Sequence, residues 1–349
     1  MKKFDSVNQY TNLYTAYDFL FGLGVDRKIF DITNRTDPSF LGTFSLPSDG
    51  YREELCLAYQ NWIFFNAGYQ GIYLLNVGDP SQALTTKFLP GTLKIGLFKD
   101  EFLIGSFQGL GARVYKIDKL PNTVQVGQIP GADSLFDFFF YKDHLFVACR
   151  EEGFKVFDLS NLEKPRLVSQ FFKDSLCFAL EHYHEEIALF KIESGTIFVM
   201  DISHPAKPRK VAEIKVNLQP YKNFFVDYPY LIVCLREKER FFNVYDCSDP
   251  SRPRLVYTYS SPDLNYYTHQ GHLIVAWGLA EEVDQQGKII ELSQLSQPFE
   301  VLQVISRGEI QKLASFQKTE RIHSVAIKAN HIYIAKNDGL FVMSVLENK

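Results

Sequence analysis

A short apolar strand closed by a polar turn recurs along the whole chain. Its copies are spaced 40 to 45 residues apart, widening to 52 before the last. They lie at Ile29–Thr33, Leu74–Gly78, Val114–Asp118, Val156–Ser160, Val199–Ser203, Val244–Ser248, Ile289–Ser293 and, in degenerate form, Phe341–Val345. Two apolar runs joined by a tight polar turn precede each copy, as in Leu135–Tyr141, Lys142-Asp143 and His144–Cys149. A turn with proline follows many of them, at Lys164-Pro165, Lys207-Pro208, Arg252-Pro253 and Gln297-Pro298. A fourth short strand comes next, such as Arg166–Phe171 or Arg254–Tyr259. Four strands per unit, with turn signals every 8 to 12 residues, describe a propeller blade.

One small sheet has two apolar faces and cannot bury them alone. Stacking blades buries both faces, and closing a ring removes the exposed ends. The aromatic share of 15%, with 31 Phe and 19 Tyr, suits such pleated, half-buried surfaces. The fold expected is therefore all-β: a β-propeller of four-stranded antiparallel blades, eight in number. Seven is the alternative if an end unit is degenerate. Only seven fourth strands are found, so Lys2–Val7 is expected to complete the last blade, closing the ring by pairing the N- and C-terminal strands. Residues 1–349 form one domain in this reading, with an insertion at about 296–311.

The turn grammar of Asp, then Ser, then Pro has a local cause. Asp and Ser side chains bond backbone amides two residues on, and proline fixes φ. Val156–Val168, Val199–Val211 and Val244–Val256 resemble the LVIVD repeat. Asn76, Lys116 and Met343 depart from it where the Asp belongs, and Glu291 departs more mildly. The resemblance implies a propeller. It also implies a family whose members often look secreted or surface-borne.

The net charge of −4 leaves no basic excess to neutralise a nucleic-acid backbone. No apolar run is long enough for a membrane span. Met1–Tyr14 has no apolar stretch of the signal-peptide kind, and the five cysteines are odd in number with no CxxC pair. These features lead us to expect free thiols and a cytoplasmic protein.

No strong catalytic constellation is present. Ser106 is not a nucleophile elbow, and phosphate-loop, HExxH and calcium-loop patterns are missing. His182 and His184, with Glu185 and Glu186 beside them, form the best metal-like cluster, though they fall at a turn and read first as a polar turn. No cofactor is expected. In a propeller, the loops between second and third strands share a face with the starts of the innermost strands. Arg52, Glu53, Lys94, Asp137, Lys222, Tyr267, Arg321 and His323 are thus expected at the mouth of the central channel. The rim loops carry Arg150, Glu151, Glu152, Arg236, Glu237, Arg240, Glu281, Glu282 and Asp338. The leading functional expectation is a non-enzymatic protein-interaction scaffold or ligand-binding propeller. The alternative is a hydrolase or lyase acting on a small polar or sugar substrate at the channel mouth.

Overall fold

The computed structural model describes residues 1–5, 10–47, 54–80, 83, 85–89, 92–99, 101–107, 111–132, 135–216, 223–235, 241–261, 264, 266–278, 297–319 and 321–345, and among these are thirty-two strands. The strands form eight four-stranded antiparallel sheets. Seven are consecutive meanders: blade 1 (10–43), blade 2 (54–89), blade 3 (92–129), blade 4 (137–171), blade 5 (177–215), blade 6 (224–260) and blade 7 (266–319). Blade 8 takes three strands from 322–344 and its outer strand, Lys2–Asp5, from the other end of the chain. That strand pairs antiparallel with Gly339–Ser344, Lys2 opposite Val342 and Lys3 opposite Phe341. The ring is therefore closed as the sequence led us to expect, with eight blades.

Each pair of neighbouring blades shares one apolar core, and the eight cores complete the circle from blade 1 against blade 2 to blade 8 against blade 1. Phenylalanine fills much of this space. Phe139 stacks on Phe146 at 4.9 Å, and Phe154 meets Phe190 edge-on at 4.8 Å, all between blades 4 and 5. Large flat rings suit the wedge that opens between sheets radiating from one axis.

The turn after the third strand has the local cause anticipated. Asp158, Asp201 and Asp246 each accept the backbone N–H of a serine two residues on, at 2.9 Å. The second carboxylate oxygen takes a guanidinium N–H eight residues on: Arg166 at 2.7 Å, and Arg209 and Arg254 at 2.9 Å. One side chain thus ties the end of the third strand to the head of the fourth. In blade 2 Asn76 does the first half alone, accepting from Gly78 N–H at 2.8 Å.

The Ser203 hydrogen bonds, and then Arg209, hold the Asp201 carboxyl down to about 2. An unfolded aspartate sits at about 3.9. The depressed folded value means that this stabilisation is complete above about pH 4 and is lost as pH falls towards 2. Asp201→Ala is expected to lower stability by about 1–2 kcal/mol at pH 7. The difference from the parent should shrink at pH 3, measured by urea unfolding at both pH values.

The seventh blade departs from expectation. Its third strand is Gln297–Val304, paired with Leu273–Trp277, and its outer strand is Ile310–Thr319. The segment 296–311 is thus no insertion but blade, except for Ser296, which lies outside the described residues along with Ile289–Ser293. Four buried side chains, Phe299, Val301, Leu302 and Val304, select this strand. Its turn has no Asp–Ser–Pro grammar. It closes instead through Gly308, whose N–H bonds Ile305 O at 2.8 Å. Gly308 has φ +75°, and an added Cβ would stand 2.8 Å from the Tyr230 ring.

Candidate functional site

Strand order places the starts of the inner strands beside the second-to-third loops. Two contacts fix this face. Arg150, just after the second strand of blade 4, forms a bridge with Cys177 at the start of blade 5. His323, near the start of blade 8, hydrogen-bonds through Nε2 to Asn337 Oδ1 at 2.7 Å in that blade's second-to-third turn.

A cavity of about 1210 Å³ runs along the inner strands of blades 7, 8 and 1. Tyr266–Gln270, Ile322–Lys328 and Tyr10–Ala16 provide those strands. At its entrance Tyr266 stacks on Trp277, with ring centroids 5.8 Å apart and planes at 26°. The two residues face each other across the hairpin, and Tyr266 is 45% exposed. Arg321, His323, Arg27 and His269 also line the cavity, whereas none of its described lining residues is acidic. His269 lies flat on Phe225, centroids 3.8 Å apart, which orients its ring.

Of the residues expected at the channel mouth, Tyr267, Arg321 and His323 line this cavity. Tyr267 is partly committed to packing, since its ring meets Phe242 edge-on at 5.4 Å in the core between blades 6 and 7. Asp137 is not among the described lining residues and serves the scaffold. It is buried, and its carboxylate accepts Leu180 N–H at 3.1 Å, tying the inner strand of blade 4 to that of blade 5. Ser324 does the same between blades 8 and 1, its Oγ accepting Leu13 N–H at 3.0 Å. Lys94 stands on the inner strand of blade 3 opposite Ser106, and its side chain is outside the described residues. Arg52, Glu53 and Lys222 lie outside them entirely.

The rim divides similarly. Arg150 spreads its guanidinium over the Phe136 and Phe178 rings, 5.1 and 6.0 Å from their centroids. Glu151 is exposed beside it. Glu152 is committed internally, because its carboxylate accepts the buried Lys155 ammonium, which also bonds Gly131 O at 2.5 Å. Asp338 faces Lys3 of the closing strand at 3.5 Å. Arg236, Glu237, Arg240, Glu281 and Glu282 lie outside the described residues.

The His182 and His184 pair does not converge. A register shift separates the two residues on their strand. His182 packs on Phe139 and Tyr141 of blade 4 and bonds Glu185 O at 2.7 Å, whereas His184 lies on Tyr228 of blade 6 at 3.9 Å. Among the described residues no group of three His, Cys, Asp or Glu side chains could hold a metal.

Sequence reasoning overlooked Tyr266, Trp277 and Arg27. The available signal was cross-strand register: Tyr266 opens an inner strand, and Trp277 ends the strand paired with it.

Comparison with known proteins gives one repeat match and a fold. The model of the LVIVD repeat matches residues 139–172. No curated protein matches the chain. The computationally designed Ika8 protein superposes with a TM-score of 0.65 at 12% identity, covering 98% of each chain. Saccharomyces cerevisiae Sqt1 also gives 0.65, at 10% identity, over 99% of this chain and 98% of its own. The C-terminal WD40 domain of Sif2 gives 0.64 at 10% identity, with the same coverage. At these identities the likeness is one of fold.

Proposed function

We propose that this LVIVD-repeat β-propeller is a scaffold for protein interaction that receives its partner at the entrance of the central channel. The reading is carried by the half-exposed Tyr266 stacked on Trp277 at the mouth of a 1210 Å³ channel that Arg321 also lines. Tyrosine, tryptophan and arginine are the residue types that dominate binding energy at protein interfaces. Here Tyr266 and Trp277 stand on paired strands and Arg321 directly precedes the inner strand of blade 8, so little conformational entropy is lost when a partner docks. The likeness to WD40 architecture supports a scaffold by analogy of fold.

A photo-crosslinking amino acid in place of Tyr266 tests this reading against one in place of Val124, which is 65% exposed on the outer strand of blade 3. Protein adducts at 266 but not at 124 are expected. The captured partner, purified and recombined with the Tyr266→Ala variant, should bind about tenfold or more weakly, corresponding to ~1.4 kcal/mol or more. Adducts confined to 124, or unchanged affinity of Tyr266→Ala, would overturn the reading.

A further inference from the structure

Resting on the channel-mouth reading, we infer that the channel receives an acidic polypeptide segment carrying an aromatic residue. The chain as a whole is acidic, with 41 Asp and Glu against 37 Lys and Arg. The described wall of the cavity reverses that balance: Arg27 and Arg321 line it, His269 and His323 add polar rings, and none of its described lining residues is acidic. Positive groups gathered in a cleft with low-dielectric walls focus their field on whatever enters it. A carboxylate-bearing segment is the complement.

The aromatic requirement comes from Tyr266 and Trp277, which offer a stacked ring surface at the entrance. A planar side chain would extend that stack. Elsewhere on the same face Arg150 lies over Phe136, which is 39% exposed, so an arginine and an accessible ring sit together at blade 4 as well. Size decides between a small anion and a polypeptide. The cavity volume of 1210 Å³ exceeds the roughly 300–1,000 Å³ usual for small-molecule pockets. It also extends along the length of three inner strands, a shape suited to an extended segment.

The test is a selection of random dodecapeptides displayed on phage against the full chain, run in parallel against Arg321→Gln and Tyr266→Ala. Thermal melts of both variants establish that they are folded. The chain has two tryptophans, and Trp62→Phe leaves Trp277 as the fluorescent reporter of the channel. We expect enriched sequences to cluster Asp and Glu around one aromatic residue. Synthetic copies should shift Trp277 emission, bind at least tenfold more weakly to Arg321→Gln, and weaken at least fivefold between 0.05 and 0.5 M salt, as screened charge pairs must. Enrichment of neutral or basic peptides that still shift Trp277 would overturn the acidic ligand and leave the channel-mouth scaffold standing. Displacement of bound peptide by millimolar inorganic phosphate alone would make the cup a small-anion site and overturn the polypeptide occupant. Peptides that leave Trp277 silent and bind both variants like the parent, or no enrichment at all, would overturn the ligand and the channel-mouth reading together.

Discussion

Between pH 7 and pH 10, the stability of the parent protein relative to a Lys191→Met variant should rise. Lys191 lies on the second strand of blade 5, Ile187–Ile192, and is fully buried at the interface with blade 6. Its ammonium donates to Asn223 Oδ1 at 3.1 Å. Asn223 in turn donates from Nδ2 to Cys234 O at 2.7 Å, so the lysine belongs to a polar seam between blades. Burial pushes its titration down to about 8. In the unfolded chain it titrates at about 10.4.

The folded state therefore gives up this proton first. Between pH 8 and about 10.4 this side chain holds its proton more often in the unfolded state, so its contribution to stability rises with pH there. Below pH 8 the full cost of a buried charge is present. The rise is worth on the order of 2–3 kcal/mol. Lys191→Met also removes the bond to Asn223; the weakening of that bond as the ammonium becomes an amine is part of the same linkage, so the comparison still reports the lysine. The measured quantity is thus a double difference: unfolding free energy at pH 10 minus that at pH 7, parent minus variant, from urea titrations. A value near zero would mean that Lys191 is solvated in the folded protein.

The second large effect concerns ring closure. Asp5, at the end of the closing strand, accepts Tyr10 O–H at 2.5 Å and Lys28 Nζ–H at 3.1 Å. Tyr10 and Lys28 belong to blade 1, whereas the closing strand belongs to blade 8. Tyr10 is 1% exposed, and burial with Asp5 beside it pushes its phenol well above the usual range. Both partners of the Lys28–Asp5 pair are mostly buried, at 13% and 12% side-chain exposure.

Removing one member of such a pair leaves the other charge poorly solvated, which costs more than the pair itself contributes. Asp5→Ala is expected to lose about 2–4 kcal/mol. Asp5→Asn keeps an acceptor for Tyr10 and should lose less. The closing strand bonds only one neighbour in its sheet, so amide exchange should accelerate first in Lys2–Asp5 and Gly339–Ser344. Uniform acceleration in all eight blades would instead mean that the ring opens only by global unfolding. A glycine reinforces the closure: Gly339 has φ +140°, and a Cβ there would stand 2.0 Å from Asp5 O.

How much of this was legible beforehand follows the range of the forces involved. The existence and order of the strands are local matters. Alternating apolar residues between polar turns specify a strand wherever they occur, and Asp158, Asp201 and Asp246 act within eight residues of themselves. Blade count and closure by a strand within Lys2–Val7 therefore followed from counting. The seventh blade failed the same procedure because Gly308, not Asp–Ser–Pro, closes its turn. Its third strand is selected by burial of Phe299 and Val301 against blade 8, which is a tertiary property.

The channel lies further from the sequence. Inner-strand residues alternate between adjacent blades, and one bulge changes the outcome. The register shift after His182 sends it to blade 4 and His184 to blade 6, so a spacing of two did not bring them together. Asp137 occupies a position expected to face the channel, yet it bonds Leu180 of the next blade. By itself the sequence determined a closed ring of four-stranded blades and the chemistry of their turns, because those depend on neighbours along the chain. Tertiary structure decided that Tyr266 and Trp277 join Arg321 and His323 on one wall, because these residues meet only where closure of the ring sets blades 7, 8 and 1 around a common axis.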